Sequence, residues 1–318
     1  QGINIVFSGS TNGWIPNSDI ANALTPAAPV TQKGIFAYGD TGSIVSMSNL
    51  VGSNGVIGSD VTGVGTARGA LAAAGYGLDK AIFGFGITDA VVSLTNLVSN
   101  SGVVASDTTG VGTDRRELAA ASFGLDKAIF AYGDSGSRVS ISNLVSNSGV
   151  VASDTDGVGT ARTLLSATTY GTDKAIFAYG FTGSNPGVSM SNLVSNSGVV
   201  ASDVSGVGTA RYAPAAVTYG SSGQAIFAYG YTGSFVSMSN LVNSSGVIAS
   251  DVSGVGTARY NLGASKYGGD KAIFAYGYNG SNRSMSNLVN SSGVIASDVS
   301  GVGTARNALG AAGYSASA

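Results

Sequence analysis

The stretch Lys127-Ala128-Ile129-Phe130-Ala131-Tyr132-Gly133 decides how the rest of the chain is read. It is a short apolar and aromatic run closed by glycine. It recurs, exactly or in close variants, with its phenylalanine at Phe36, Phe83, Phe130, Phe177, Phe227 and Phe274. The intervals are 47, 47, 47, 50 and 47 residues, the long one carrying an insertion around Asn185-Pro186-Gly187 and an extra residue near Ser222. A period of this length marks a repeat architecture. A residue kept in every copy serves the folding of every copy. Function is therefore sought where copies differ, or where equal groups converge on an axis.

Outward from Phe130, one unit holds four short segments, labelled a to d. Segment a, within Arg115 to Gly124, is rich in Ala and Ser. Segment b is Lys127 to Gly133. Segment c, Val139 to Val145, alternates apolar and polar side chains, and segment d is Gly149 to Asp154. Clusters of Gly, Asn, Ser and Asp separate them, which is the punctuation of strands. Glycine interrupts every segment and no 3.6-residue stripe runs through, so helix is a poor reading.

Four short strands in about 47 residues make the expected fold all-β, a β-propeller of four-stranded blades. Small residues such as Leu71-Ala72-Ala73-Ala74-Gly75 place segment a innermost, where blades crowd together. Residues 1–318 read as one domain. Residues 34–318 supply six repeats and a closing strand. Residues 1–33 look like a shortened module: Ile5-Val6-Phe7-Ser8-Gly9 resembles segment b, Gly13 to Ile20 resembles segment d, and Ala23 to Gln32 falls where segment a belongs. The C-terminus ends on a segment a, Arg306 to Tyr314, with no segment b after it. The expectation is seven blades closed by the N- and C-terminal strands. Six blades are the alternative, and a terminal strand exchanged into a second molecule would build a chain of subunits.

The pattern resembles the kelch repeat, in Gly159-Thr160-Ala161-Arg162 before a small-residue strand, Ala175-Ile176-Phe177-Ala178-Tyr179-Gly180, and Ser191-Asn192-Leu193. It lacks the outer-strand Trp and the second Gly of that repeat. A closer likeness is to Ala-Ile-Phe-Gly-Tyr-Gly repeat proteins of bacteriophage virions and environmental microbes, nearest at Ala81-Ile82-Phe83-Gly84-Phe85-Gly86. That resemblance implies a structural or adhesive role.

Composition narrows the function classes. With net charge −2 and 10% charged residues, the chain lacks the basic surface that nucleic acid requires. No apolar run is long enough for a membrane helix, so no membrane insertion is expected. There is no Cys and no His, which removes thiolate zinc sites and the commonest general base. Glu117 is the sole glutamate, and Lys33 and Lys266 are the only lysines outside a repeated turn motif. The reading is non-enzymatic, with no cofactor or metal. The chain opens at Gln1, which leaves a removed targeting segment and a trimmed terminus as alternatives.

Three sets of residues are candidates for sites. Arg68, Arg115, Arg162, Arg211, Arg259 and Arg306 each precede a segment a. In kelch-like propellers this place lies near the channel mouth, where guanidinium groups can hold an anion. Against that, one Asp per Arg, in the preceding turns at Asp60, Asp107, Asp154, Asp203, Asp251 and Asp298, points to internal ion pairs. Asp154-Thr155-Asp156-Gly157 has the look of a calcium loop, but its siblings lack the second carboxylate, so it reads as a turn. Third, the copies diverge after segment b (Asp40, Ile87, Asp134, Phe181, Tyr231, Tyr278) and after the repeated Arg (Gly69, Arg116, Thr163, Tyr212, Tyr260, Asn307). Phe181, Tyr212, Tyr231, Tyr260 and Tyr278 gather in the C-terminal half, beside Asn and Ser, as ligand-binding candidates.

The functional expectation is a self-assembling structural protein of a virion or an extracellular filament or layer. Its partners would be further copies, glycans, or another virion or surface protein. The alternative is a lectin-like or receptor-binding propeller using the divergent aromatics.

Overall fold

The structure is a computed structural model, and it describes residues 5–7, 14–16 and 31–317. Among them there is no helix. Two short strands, β1 (Ile5–Phe7) and β2 (Trp14–Pro16), pair with each other. The rest of the architecture is six antiparallel sheets of three strands each. The first contains β3 (Lys33–Asp40) and β4 (Ile44–Val51). The second is β5 (Ala72–Tyr76), β6 (Lys80–Gly84) and β7 (Thr95–Val98), and the third β8 (Ala119–Phe123), β9 (Lys127–Ala131) and β10 (Ser142–Val145). The fourth is β11 (Ser166–Tyr170), β12 (Lys174–Ala178) and β13 (Ser191–Val194). The fifth is β14 (Ala215–Tyr219), β15 (Gln224–Tyr231) and β16 (Phe235–Val242), and the sixth β17 (Gly263–Tyr267), β18 (Lys271–Ala275) and β19 (Ser286–Val289). The last strand, β20 (Gly310–Tyr314), completes the first sheet in the order β20-β3-β4.

Segment a thus becomes β5, β8, β11, β14, β17 and β20. Each of these strands touches the next, and β20 touches β5, so the inner strands form a closed cycle. The closing partner differs from expectation. Gly310 pairs with Ala37 and Tyr314 with Lys33, so β20 joins the first full repeat and not Ile5–Phe7. The physical reason lies in segment c. Arg306 requires an asparagine from such a segment, which the first full repeat supplies as Asn49 and residues 1–33 lack. Of the segment a expected at Ala23 to Gln32, all but Thr31 and Gln32 lies outside the described residues; those two are not in a strand.

Segment d also differs. It does not form a continuous fourth strand but touches segment c through two isolated bridges per unit, such as Thr95 with Thr108 and Val98 with Val104. The Asn96 amide sits between the two, donating to the Ala105 carbonyl and the Asp107 carboxylate, both at 2.9 Å. A side chain replaces part of the ladder.

Packing follows from the repeated phrase. The core is six apolar clusters, each built from two adjacent sheets. The Phe of each segment b is fully buried and meets the aromatic ring of the preceding sheet, as Phe83 meets Tyr38 at 5.4 Å edge to face. Burial of one such ring stabilises by about 2–3 kcal/mol. Tyr38, Phe85, Tyr132, Tyr179, Tyr229 and Tyr276 all adopt a left-handed backbone, with φ between 62° and 65°. In β3 and β15 this coincides with a register shift at the Tyr-Gly pair. Such bulges re-aim a side chain, and here the aromatic ring enters the inter-sheet core.

Candidate functional site

The six arginines are fully buried, and their guanidinium groups lie between sheets, not at a channel mouth. Each stacks on the aromatic ring of the preceding sheet, from 4.0 Å for Arg211 over Tyr179 to 4.4 Å for Arg68 over Tyr38. Within its own sheet, Arg115 donates from Nε to the Tyr132 carbonyl at 2.9 Å, from Nη1 to the Thr113 carbonyl at 3.1 Å and from Nη2 to the Asn143 oxygen at 2.5 Å. The same fork recurs in every unit, except that the buried Nε of Arg211 has no partner. Arginine suits this place because its planar fork serves three acceptors while its face stacks on a ring.

The expected internal pairing is present with a different partner. Arg68 lies 3.9 Å from Asp107 and Arg115 3.8 Å from Asp154, and Arg162 and Arg211 pair likewise with Asp203 and Asp251, so these arginines meet the Asp of their own sheet and not the Asp of the preceding turn. Each carboxylate is held mainly by a threonine two residues before the Arg. Asp154 accepts from the Thr113 amide at 3.0 Å and the Thr113 hydroxyl at 2.6 Å, and also from the Asn143 amide. Burial pushes these carboxyls up. The threonine, asparagine and arginine bonds and charges outweigh it and leave all six below the usual carboxylate range. Those bonds occupy the oxygens that a calcium ion would need at Asp154. Gly112, at φ +83°, completes the clasp: a Cβ there would strike the Asn143 amide and the Asp154 carboxylate.

One turn beyond each arginine, the chain bends around the axis. Ala70, Glu117, Leu164, Ala213, Asn261 and Ala308 are all left-handed, with φ from 49° to 56°. Each donates its backbone N–H to the carbonyl of the preceding one, and Ala70 donates to Ala308, so six hydrogen bonds of 2.6–3.2 Å close a belt around the axis. The belt rims a cavity of about 230 Å³ lined by the inner strands. Glu117 faces this rim. Burial raises its pKa, against the pull of Arg116 and Thr163.

The divergent residues meet beside this belt. The two series noted in the sequence bridge to each other unit by unit: Asp40 with Asn307, Gly69 with Ile87, Arg116 with Asp134, Thr163 with Phe181, Tyr212 with Tyr231, and Tyr260 with Tyr278. All five aromatic candidates therefore share one face. Their rings form a connected arc: Phe181 to Tyr212 at 5.1 Å, Tyr212 to Tyr231 at 5.3 Å, Tyr231 to Tyr260 at 5.7 Å and Tyr260 to Tyr278 at 6.0 Å.

Sequence reading missed Phe235, which fills the arc at 5.5 Å from Tyr231 and 5.7 Å from Tyr260. It also missed Arg138, whose guanidinium lies 5.1 Å from the Phe181 centroid. Both occupy a third divergent position, four residues after the series that follows segment b, and pair back to that series in the same hairpin. Comparing the copies there (Ile44, Val91, Arg138, Phe235, Asn282) would have found them.

All six rings of the arc are half-buried, so each keeps an open side. Burial, then neighbouring phenols, raise the pKa of Tyr212 and Tyr260. Polar groups flank the arc: Asn307 donates to Asn282 at 2.7 Å and Arg283 to Asn279 at 2.5 Å. The opposite side of the face carries Ile87 and the Arg116–Asp134 pair at 3.5 Å.

Compared with known proteins, the chain matches no family model and no curated protein.

Proposed function

We propose that the chain is a six-bladed, kelch-like propeller acting as a non-catalytic binding module, with the aromatic arc as its recognition surface for neutral glycans. The observation that carries this reading is the union of two variable series into one ring cluster on one face. The repeated residues are consumed in clasps and core, and variation is concentrated where a ligand would sit. Flat aromatic rings with neutral phenols and flanking asparagines offer stacking for sugar faces and hydrogen bonds for their hydroxyls. The proposed setting is outside a cell or on a virus particle. A glycan array probed with the intact chain tests the reading. Binding that is lost in Tyr260→Ala, with the fold retained, supports it, and an empty array overturns it.

A second reading is a self-assembling subunit of a virion or extracellular layer. Six equivalent valines favour it: Val56, Val103, Val150, Val199, Val247 and Val294 stand at the start of segment d, 60–66% exposed. Exchange of the terminal strand would require β20 to leave the edge of β3. Mass photometry separates the two readings: ordered polymers without ligand favour assembly, and discrete particles favour the binding module.

A further inference from the structure

The inner strands line a second axial cavity, of about 580 Å³, toward the ends opposite the aromatic arc. Two residues from each strand line it in successive rings. The first ring is alanine in all units, Ala73, Ala120, Ala167, Ala216, Ala264 and Ala311. The second diverges: Gly75, Ser122, Thr169, Thr218, Lys266 and Gly313. A repeat that keeps one ring invariant and varies the next has a position free to specialise.

Lys266 is the specialised residue. No carboxylate lines the cavity, and its other lysine, Lys80, is engaged with Asp79 at 3.2 Å. Among the described residues the Lys266 ammonium makes no ion pair and no hydrogen bond. Burial lowers its pKa, with only the more distant Asp270 charge opposing. On the adjacent strand at the same level, the Thr218 hydroxyl likewise has no partner among the described residues. The other hydroxyls of this ring are committed: Ser122 donates to the Gly75 carbonyl and Thr169 to the Ser122 carbonyl, both at 2.8 Å. On the other side of Lys266, Gly313 contributes no side chain, and the Thr31 side chain fills the space beside it and lines the cavity. Two unused donors, one of them cationic, stand side by side in an apolar-walled cavity of small-ligand size.

We propose that this axial cavity binds a small carboxylate ligand, its carboxylate held by Lys266 and Thr218 and its short apolar body against the alanine ring. A carboxylate there gains charge-assisted hydrogen bonds that water supplies poorly in a narrow apolar channel. The site is separate from the aromatic arc and does not depend on it.

Butyrate is the probe, with sodium sulfate as the comparison at equal ionic strength. Reductive methylation followed by mass spectrometry reads the reactivity of each lysine in the intact chain. The expected result is that butyrate protects Lys266 while leaving Lys80 unprotected. Calorimetric butyrate binding is lost in Lys266→Thr and falls about fivefold in Thr218→Val, as for one lost hydrogen bond. Thr stands at the Lys266 position in two other units, so the first variant retains a residue the ring already accepts. Labelling of Lys266 unchanged by butyrate, or protection by sulfate alone, overturns the proposal. The labelling experiment on the unaltered chain decides the matter even where a variant fails to fold.

Discussion

Arg306 donates from Nη2 to the Asn49 side-chain oxygen at 2.7 Å, across 257 positions of the chain. The same arginine reaches the Tyr38 carbonyl at 3.0 Å, and Thr304 holds the Asp60 carboxylate at 2.6 Å. The closure is therefore the same clasp used inside every other unit, made between the two ends. Removal of residues 310–318 keeps Arg306 but takes β20 from the edge of β3. The freed edge then offers unpaired backbone groups to another chain. The expected outcome is a dimer or larger species in light scattering, with a broadened thermal transition. A monomer with an unchanged melt would show that the cycle needs no closing strand.

Arg115→Lys tests the clasp in an interior unit. Lysine keeps the charge but cannot reach the Tyr132 and Thr113 carbonyls and Asn143 together, and it loses the flat stack on Phe85. Buried acceptors left unpaired cost about 1–3 kcal/mol each, so a loss of roughly 2–4 kcal/mol is expected. Denaturant titration measures it. A change below about 0.5 kcal/mol would mean that charge alone suffices.

The six clasp aspartates set the acid limit of stability. Their folded pKa values lie below the ordinary value of 3.8, because the threonine, asparagine and arginine contacts outweigh burial. A group whose pKa is depressed on folding contributes stability above its unfolded pKa and loses it as pH falls through the folded one. Stability contributed by these groups should therefore be level near neutrality and decline steeply below about pH 4. Asp154→Asn, which keeps a side-chain oxygen but cannot ionise, should flatten that decline by one group's share. Chemical denaturation across pH reads the slope.

Much of the fold was legible because the repeat states the same physics six times. Glycine-closed apolar runs marked the strands, and small residues placed segment a on the axis. The closing partner was harder. Ile5-Val6-Phe7 looks like a segment b, but β20 chose Lys33–Asp40, because closure is decided by Asn49 and Asp60 far along the chain. Segment d looked like a strand because it is a short run bounded by turn residues, and nothing local revealed that the Asn96 amide would take the Ala105 carbonyl. The aromatic residues were legible as divergent positions, and their union was not. Tyr212 and Tyr231 lie 19 residues apart and meet only because segment a folds back on segment b.

Tyr231→Ala and Phe235→Ala test the arc. Both rings sit at its centre, within 6 Å of Tyr260. If the arc is the glycan surface, each truncation should weaken binding about 30-fold, the loss of roughly 2 kcal/mol typical of a central aromatic anchor. Ile44→Ala, at the position in the first sheet that Phe235 holds in the fifth, should leave affinity unchanged. Equal losses from all three would point to a general structural effect.

The final prediction is a gain of stability. In five units the left-handed aromatic is tyrosine, and its hydroxyl donates to a valine carbonyl in the loop that leads into the next sheet. Tyr38 reaches Val64 and Tyr132 reaches Val158, each at 3.1 Å. The second sheet has Phe85 instead, so the carbonyl of Val111 lacks the bond its counterparts accept. Phe85→Tyr adds a hydroxyl at the end of a ring already held at φ 62°, against Phe130 and beneath Arg115. One net hydrogen bond contributes about 0.5–1.5 kcal/mol. For a chain of this size that raises the melting midpoint by roughly 1–4 °C. Differential scanning calorimetry measures it. A lowered midpoint would mean that the second sheet packs Phe85 too closely for an added oxygen, and that this unit departs from the geometry of the other five.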